Sequence, residues 1–203
     1  MNRGCFLIRH GTTRGNEARR YIGAETDEEL SAGGVASVLS AKKKIRGLLP
    51  EKFVIVSSPL KRARETAAIL FDNRDVIIFD DLKEMDFGRF EGKNYEELKD
   101  DPDYRTWIDS RGNAGCPGGE NVEDFKERSL RGFYSAMESC SDGETLCIVC
   151  HGGSIMAILS ILTGGEYYDF RVDPLCGYRL EMKTDDEGIH LIAYDRFDGG
   201  MPS

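Results

Sequence analysis

Cys5-Phe6-Leu7-Ile8-Arg9-His10-Gly11 is an apolar run that breaks off at an arginine, a histidine and a glycine. The run does not alternate apolar with polar residues. As a strand it is therefore buried on both faces, as in a parallel sheet covered by helices. Three more runs share this character: Phe53 to Val56, Val76 to Phe79 and Leu146 to Val149. Segments of helical period lie between them. Ser31 stands at the N-cap of a helix in which Val35, Val38, Leu39, Ile45 and Leu48 share a face, and Pro50 follows its end. Ser58 and Pro59 read as the N-cap and first turn of a helix burying Leu60, Ala63, Ala67 and Leu70. Asn121 caps a third helix presenting Val122, Phe125, Phe133 and Ala136, and Ile155 to Leu162 reads as a fourth. Tyr178 to Met182 and Ile189 to Tyr194 form an antiparallel hairpin about the polar turn Thr184 to Gly188. This alternation of strand and helix predicts an α/β fold, a three-layer sandwich with a mostly parallel central sheet flanked by helices.

The 203 residues are read as a single domain, long enough to bury a core without disulfide or metal staples. An excursion near 85–120 borders the expected active site; within it Asp100 to Gly119 is polar and Gly-rich and is taken to pass over the sheet edge. With 40% hydrophobic and 31% charged residues the composition is that of a soluble globular protein. A net charge of -9 argues against sequence-independent nucleic-acid binding, which depends on Lys and Arg neutralising phosphates. No apolar run approaches the length of a membrane span, and the run at Cys5 is too short for a secretory signal, so the cytoplasm is the expected compartment. Six cysteines in a chain of this length make no disulfide scaffold. Cys147 and Cys150 have C-x-x-C spacing, but in a strand an odd separation sends them to opposite faces, which favours two small core residues over a redox or zinc pair.

Ligands in open α/β sheets gather beyond the C-terminal ends of the strands. There the first run supplies Arg9, His10 and Gly11, the second Ser57, Ser58 and then Arg62, and the fourth His151, Gly152 and Gly153. The glycines after His151 open a helix whose amides can face an anion. Guanidinium groups grip phosphate oxygens in a fork and stay charged at any working pH. A neutral imidazole can attack phosphorus near pH 7. Two histidines and two arginines from distant segments thus suit a small phosphorylated metabolite. Fixed cations take the place of a metal, and neither H-x-H nor H-E-x-x-H spacing is present, so no metal and no cofactor is expected.

Four ordered blocks carry a resemblance. They are Leu7-Ile8-Arg9-His10-Gly11-Thr12-Thr13 with Asn16; Ser57-Ser58-Pro59-Leu60-Lys61-Arg62-Ala63-Arg64-Glu65-Thr66-Ala67; Leu82 to Gly92; and Val149-Cys150-His151-Gly152-Gly153. Together they resemble the histidine phosphatase superfamily, which includes the phosphoglycerate mutases. The resemblance implies a phosphoglycerate mutase-like fold and a metal-independent phosphomonoesterase working through a phosphohistidine. It implies His10 as the nucleophile, Arg9, Arg62 and His151 as the phosphate pocket, Asn16 as a further donor, and Glu84 as the proton donor to the leaving oxygen. A carboxyl group beside bound phosphate is pushed toward its protonated form, which suits that last role. Gly152 and Gly23 join the substrate-binding set; Thr13 either binds phosphate or stabilises its loop.

The chain is short for the mutases of the superfamily, which favours water as the phosphoryl acceptor. Tyr21-Ile22-Gly23 with Thr26-Asp27, and Pro117-Gly118-Gly119-Glu120 with Phe125 and Arg128, resemble the α-ribazole phosphatases of cobalamin biosynthesis. One residue is inserted between Gly23 and Thr26 relative to that branch, and Cys150, Cys116, Asn121 and Phe90 depart from its usual residues. A broad phosphosugar or phosphoglycerate phosphatase, a phosphoglycerate mutase and a phosphoprotein-binding module are the competing readings. Arg20, Arg89 and Tyr21 are candidate contacts for the leaving group.

Overall fold

The structure, a computed structural model, describes residues 2–141 and 143–199. Among these residues the chain forms strands β1 (Asn2–Arg9), β2 (Phe53–Ser57), β3 (Ile77–Ile78), β4 (Thr145–Cys150), β5 (Gly177–Asp185) and β6 (Gly188–Phe197). Its α-helices are α1 (Arg14–Glu17), α2 (Ala32–Leu48), α3 (Lys61–Leu70), α4 (Tyr95–Leu98), α5 (Pro102–Asp109), α6 (Val122–Glu138) and α7 (Gly152–Thr163). The strands make one sheet in the order β3-β2-β4-β1-β5-β6. From β3 to β1 every pairing is parallel, whereas β5 is antiparallel to β1 and to β6. No helix among the described residues is long and apolar enough to cross a membrane.

Alternation along the central strands divides the core into two layers. Cys5 and Leu7 of β1 pack with Phe133, Met137, Ile155 and Leu159 of α6 and α7. Phe6 and Ile8 pack with Val38, Ile45, Ala67 and Leu70 of α2 and α3. Each fully buried Leu, Ile or Phe stabilises the fold by about 1.5–3 kcal/mol relative to exposure. Both faces of β1 and β4 carry such residues, so the runs read as continuously apolar. Cys147 and Cys150 fall in opposite layers, as their spacing predicts. Helix starts follow the expected chemistry: the Ser31 hydroxyl accepts from Gly34 N and the Asn121 side chain accepts from Asp124 N, both at 2.9 Å.

The structure corrects three expectations. The run Val76 to Phe79 is not buried on both faces. Only Ile77 and Ile78 are strand, on the sheet edge with β2 as sole neighbour, and both are exposed. Leu39 and Leu48 also lie in solvent, since α2 packs through Val38, Ala41 and Ile45 and the chain then turns to bury Leu49. Ser58 is not a helix cap: α3 begins at Lys61 after Leu60, and its first N–H donates instead to Asp27 Oδ1 at 2.7 Å. Asp100 to Gly119, read as a polar and Gly-rich excursion, is partly helical. It contains α5, capped by Asp101, whose Tyr104 and Trp107 are buried with Phe90, Phe125 and Met85 in a third cluster.

Candidate active site

The parallel register brings three strand ends level. Arg9 of β1 lies opposite Cys150 of β4, so the residues that follow, His10 and His151, leave the sheet side by side. His10 N donates to Cys150 O at 3.0 Å, and Ser58 N donates to Val149 O at 3.0 Å. Helix α3 reaches the same point through Thr66, whose hydroxyl accepts from Gly11 N at 2.9 Å.

The two imidazoles meet edge to face with ring centroids 5.1 Å apart. Nδ1 of His10 lies 2.6 Å from the Gly11 carbonyl. A carbonyl can only accept, so the proton sits on Nδ1 and the lone pair on Nε2. Nε2 of His151 lies 2.7 Å from the Ser58 hydroxyl, which itself accepts from Leu60 N at 3.3 Å. Donation of the Ser58 proton to Nε2 would place the His151 proton on Nδ1. Burial first, then Arg62 and neighbouring cations, holds both histidines well below the ordinary value of 6.5, with the Gly11 carbonyl opposing this weakly at His10. Both rings are neutral at pH 7.

The arginines are anchored by backbone oxygen rather than by carboxylates. Arg62, fully buried, donates to the carbonyls of Thr26 and Gly23 at 2.9 Å and of Ile22 at 3.3 Å. Arg9 donates to Val172 O at 2.7 Å. Burial lowers both guanidinium pKa values, and the Glu84 carboxylate opposes the shift. Neither arginine loses its proton, since a guanidinium stays charged in proteins. Three buried nitrogens here have no protein partner: Nε of Arg9, Nε of Arg62 and Nδ1 of His151.

Glu84 stands across from these groups on irregular backbone between two 3-10 turns, Asp80–Leu82 and Gly88–Phe90. Its Oε1 accepts from Met85 N at 2.9 Å and its Oε2 from Gly153 N, in the first turn of α7, at 3.0 Å. Burial raises its pKa, outweighing the two amides and the charges of Arg62 and Arg9. A carboxyl group of this kind holds a proton longer than one in water.

Residues 5–195 match the histidine phosphatase superfamily (branch 1). The chain belongs to that superfamily. It is 31% identical over 184 residues to the adenosylcobalamin/alpha-ribazole phosphatase of Salmonella typhimurium, a match spanning 87% of this chain and 89% of the relative. The alpha-ribazole phosphatase of Shigella flexneri superposes with a TM-score of 0.77 at 25% identity, covering 93% of this chain and 94% of the other. A mycobacterial glucosyl-3-phosphoglycerate phosphatase superposes with a TM-score of 0.79 at 25% identity, covering 95% and 97%. This histidine phosphatase is accordingly a hydrolase with the phosphoglycerate mutase-like α/β architecture.

Beside His10 the phosphatase has a cavity of about 270 Å3, lined also by Arg9, Asn16, Glu84 and Gly152. Thr13 and Gly23 stand behind that lining. Thr13 is fully buried and makes a reciprocal cap with Asn16, its hydroxyl accepting from Asn16 N and its own N–H donating to Asn16 Oδ1, both at 3.2 Å. Its place is therefore in the loop. Gly23 serves Arg62 through its carbonyl, and a Cβ there would lie 2.3 Å from Met85 O. Of the candidate leaving-group contacts, Tyr21 and Arg20 line the cavity, and Arg89 instead pairs with Asp101 and Asp103. Sequence reasoning missed Phe87, Trp107, Tyr167, Tyr168 and Arg171 on the cavity wall. Tyr21, Phe87 and Trp107 pack tilted or edge to face with centroids 5.2–6.1 Å apart. The aromatic enrichment of 87–107 was the available signal. One group with metal-ligand chemistry, Asp185, Glu187 and His190, gathers among the described residues, exposed at the turn joining β5 and β6. Lys183 of β5 pairs with Asn2, so this turn lies at the end of the sheet opposite His10.

Proposed function

We propose that the enzyme hydrolyses phosphate monoesters through a phosphohistidine at Nε2 of His10. The observation that carries this reading is the trio of unpartnered buried nitrogens on Arg9, Arg62 and His151, two cations that act on the His10 ring and the imidazole packed against it. A buried donor without a partner costs about 1–3 kcal/mol, so three together are stable only where an acceptor matches them, and a phosphate dianion offers the oxygens and the charge. Asn16 adds its amide, since its carbonyl oxygen is occupied by Thr13 N.

In the first step Nε2 forms a bond to phosphorus while the bond to the ester oxygen breaks. Protonated Glu84 delivers its proton to that oxygen, and the alcohol departs. In the second step a water gives its proton to the Glu84 carboxylate as its oxygen bonds to phosphorus, and the P–N bond breaks. Phosphate leaves, with His10 and Glu84 restored. The guanidinium groups and the His151 ring stabilise the charge on the transferring group, a task they perform without reorganising because backbone carbonyls anchor the arginines and the Ser58 hydroxyl holds His151.

The leaving-group side of the cavity carries Tyr21, Phe87, Trp107, Tyr167 and Tyr168, which favours an ester whose alcohol bears a planar ring. α-Ribazole phosphate, named by the function of its relatives, is the first candidate. Phosphate release in EDTA from α-ribazole phosphate, phosphoserine and 3-phosphoglycerate, by wild type and His10→Ala, tests both parts. The expected result is chelator-resistant turnover that vanishes in His10→Ala, with α-ribazole phosphate preferred. Retained activity in His10→Ala would sink the nucleophile; preference for the carboxylated esters would sink the ring assignment.

A further inference from the structure

Glu84 has no regular secondary structure to hold it, yet the segment around it is fastened at five points by two residues. Arg128, in the middle of α6, donates from Nη1 to the carbonyls of Asp81 at 3.0 Å and Lys83 at 3.1 Å, and from Nη2 to the carbonyl of Glu84 itself at 3.1 Å. Its Nε and Nη2 also grip both oxygens of Glu120 at 2.7 Å. Glu120 in turn reaches the far side of Glu84: its Oε2 accepts from Asp86 N, and its own N–H donates to Asp86 O, both at 2.9 Å. The pair is mostly buried, with side-chain exposures of 17% and 23%. Gly132, one turn on from Arg128, lets α6 come this close, because a Cβ there would stand 3.0 Å from the Asp81 carbonyl carbon. Three of the five guanidinium hydrogens of an arginine would suffice for a carboxylate and one carbonyl. Here the fork spans a carboxylate and three carbonyls of one loop.

We propose that Arg128, with Glu120 as its partner, is the positioning residue for proton transfer by Glu84, setting the place of the carboxyl group against the leaving oxygen. This rests on the reading of Glu84 as the general acid. A merely structural ion pair would fasten one element to another; this one brackets a single residue, gripping its own carbonyl and the backbone of Lys83 before it and Asp86 after it. Proton transfer is sensitive to such placement, since a displacement of about 1 Å can cost on the order of a hundredfold.

The test compares kcat/KM, which reports the first transfer only, on two esters: 2-glycerophosphate, whose alkoxide must be protonated to leave, and p-nitrophenyl phosphate, whose phenolate leaves unaided. Glu84→Gln should lower kcat/KM on the alkyl ester by roughly 10²–10⁴-fold and on the aryl ester far less. Arg128→Met should reproduce this selectivity with a smaller loss, about 10–100-fold on the alkyl ester and under about 3-fold on the aryl ester. Arg128→Lys keeps the charge but cannot span the carbonyls, and should fall between; it carries the same test if Arg128→Met does not fold. Equal losses on both esters, or no loss on either, with Glu84→Gln selective, would overturn the positioning role while leaving the general acid in place. A Glu84→Gln variant without selectivity would overturn the general acid itself, and the positioning role with it.

Discussion

At the scale of single residues the site depends on one missing methyl group. A Cβ on Gly153 would lie 2.1 Å from Glu84 Oε1, inside any tolerable contact, and the same residue donates its N–H to Glu84 Oε2. Alanine in a helix is otherwise favoured over glycine by roughly 0.5–1 kcal/mol, so Gly153→Ala should gain helix propensity and lose Glu84 placement. We expect kcat/KM on alkyl esters to fall about 10–100-fold with the helix intact by circular dichroism. Activity at the wild-type level would show that Glu84 tolerates displacement. The same economy explains why the residues proposed for chemistry were legible in the sequence. His10, Arg9, Arg62 and His151 each sit where a strand run breaks off or in the first turn of the helix beyond, so chain position points to them, whereas Glu84, among several acidic residues past a 3-10 turn, came from the resemblance. Thr13 and Gly23 were drawn into the same set because position cannot tell a wall from its support. Their polar groups face Asn16 and Arg62 instead.

At the scale of elements, α2 braces the loop after His10. A Cβ on Gly34, in its first turn, would stand 2.0 Å from the Thr12 carbonyl oxygen, and Ser31 N donates to that oxygen at 2.9 Å. The Ser31 hydroxyl caps Gly34 N and donates to Glu17. Ser31→Ala removes both bonds and should lower stability by about 1–2 kcal/mol. The reading is a reduced urea midpoint at unchanged m-value; an unchanged midpoint would mean that water replaces the hydroxyl without loss. Caps of this sort were legible because Ser31 and Asn121 act within three residues of themselves. The cap expected at Ser58 was not, because a histidine 93 positions away takes its hydroxyl. Helix α5 was hidden for a related reason: its burial depends on aromatic partners spread from Tyr21 to Phe125.

At the scale of the molecule, burying two neutral histidines beside two arginines makes stability depend on pH. Both histidines titrate well below 6.5 in the native state, so the folded protein binds fewer protons than the unfolded chain once pH falls under that value. Their contribution is therefore complete above pH 6.5 and is lost as pH falls toward their native-state values. Glu84, raised above 4.5, works the other way: its contribution is present at low pH and is lost as pH rises through its native-state value. Two strongly depressed groups outweigh one raised group. Thermal unfolding followed from pH 7.5 down to pH 5 should show a falling Tm, with a shallower slope in His10→Asn. A flat profile, or the same slope in the variant, would refute the neutral burial of these rings.

The layers follow from the sequence by itself. Apolar runs without alternation, separated by helical periods, point to a mostly parallel sheet covered on both sides, and Arg9, His10 and His151 at strand ends, with Arg62 in the helix after β2, suit a phosphate site there. These are local signals, because periodicity and capping act over a few residues. Tertiary structure alone decided which atoms are free. The Gly11 carbonyl sets the His10 tautomer, loop carbonyls anchor Arg62 so that its Nε stays unpartnered, and Arg128 fastens the backbone around Glu84 from 44 residues away. Such pairings join segments far apart in the chain, and a hydrogen bond across that separation leaves no periodic trace in the sequence.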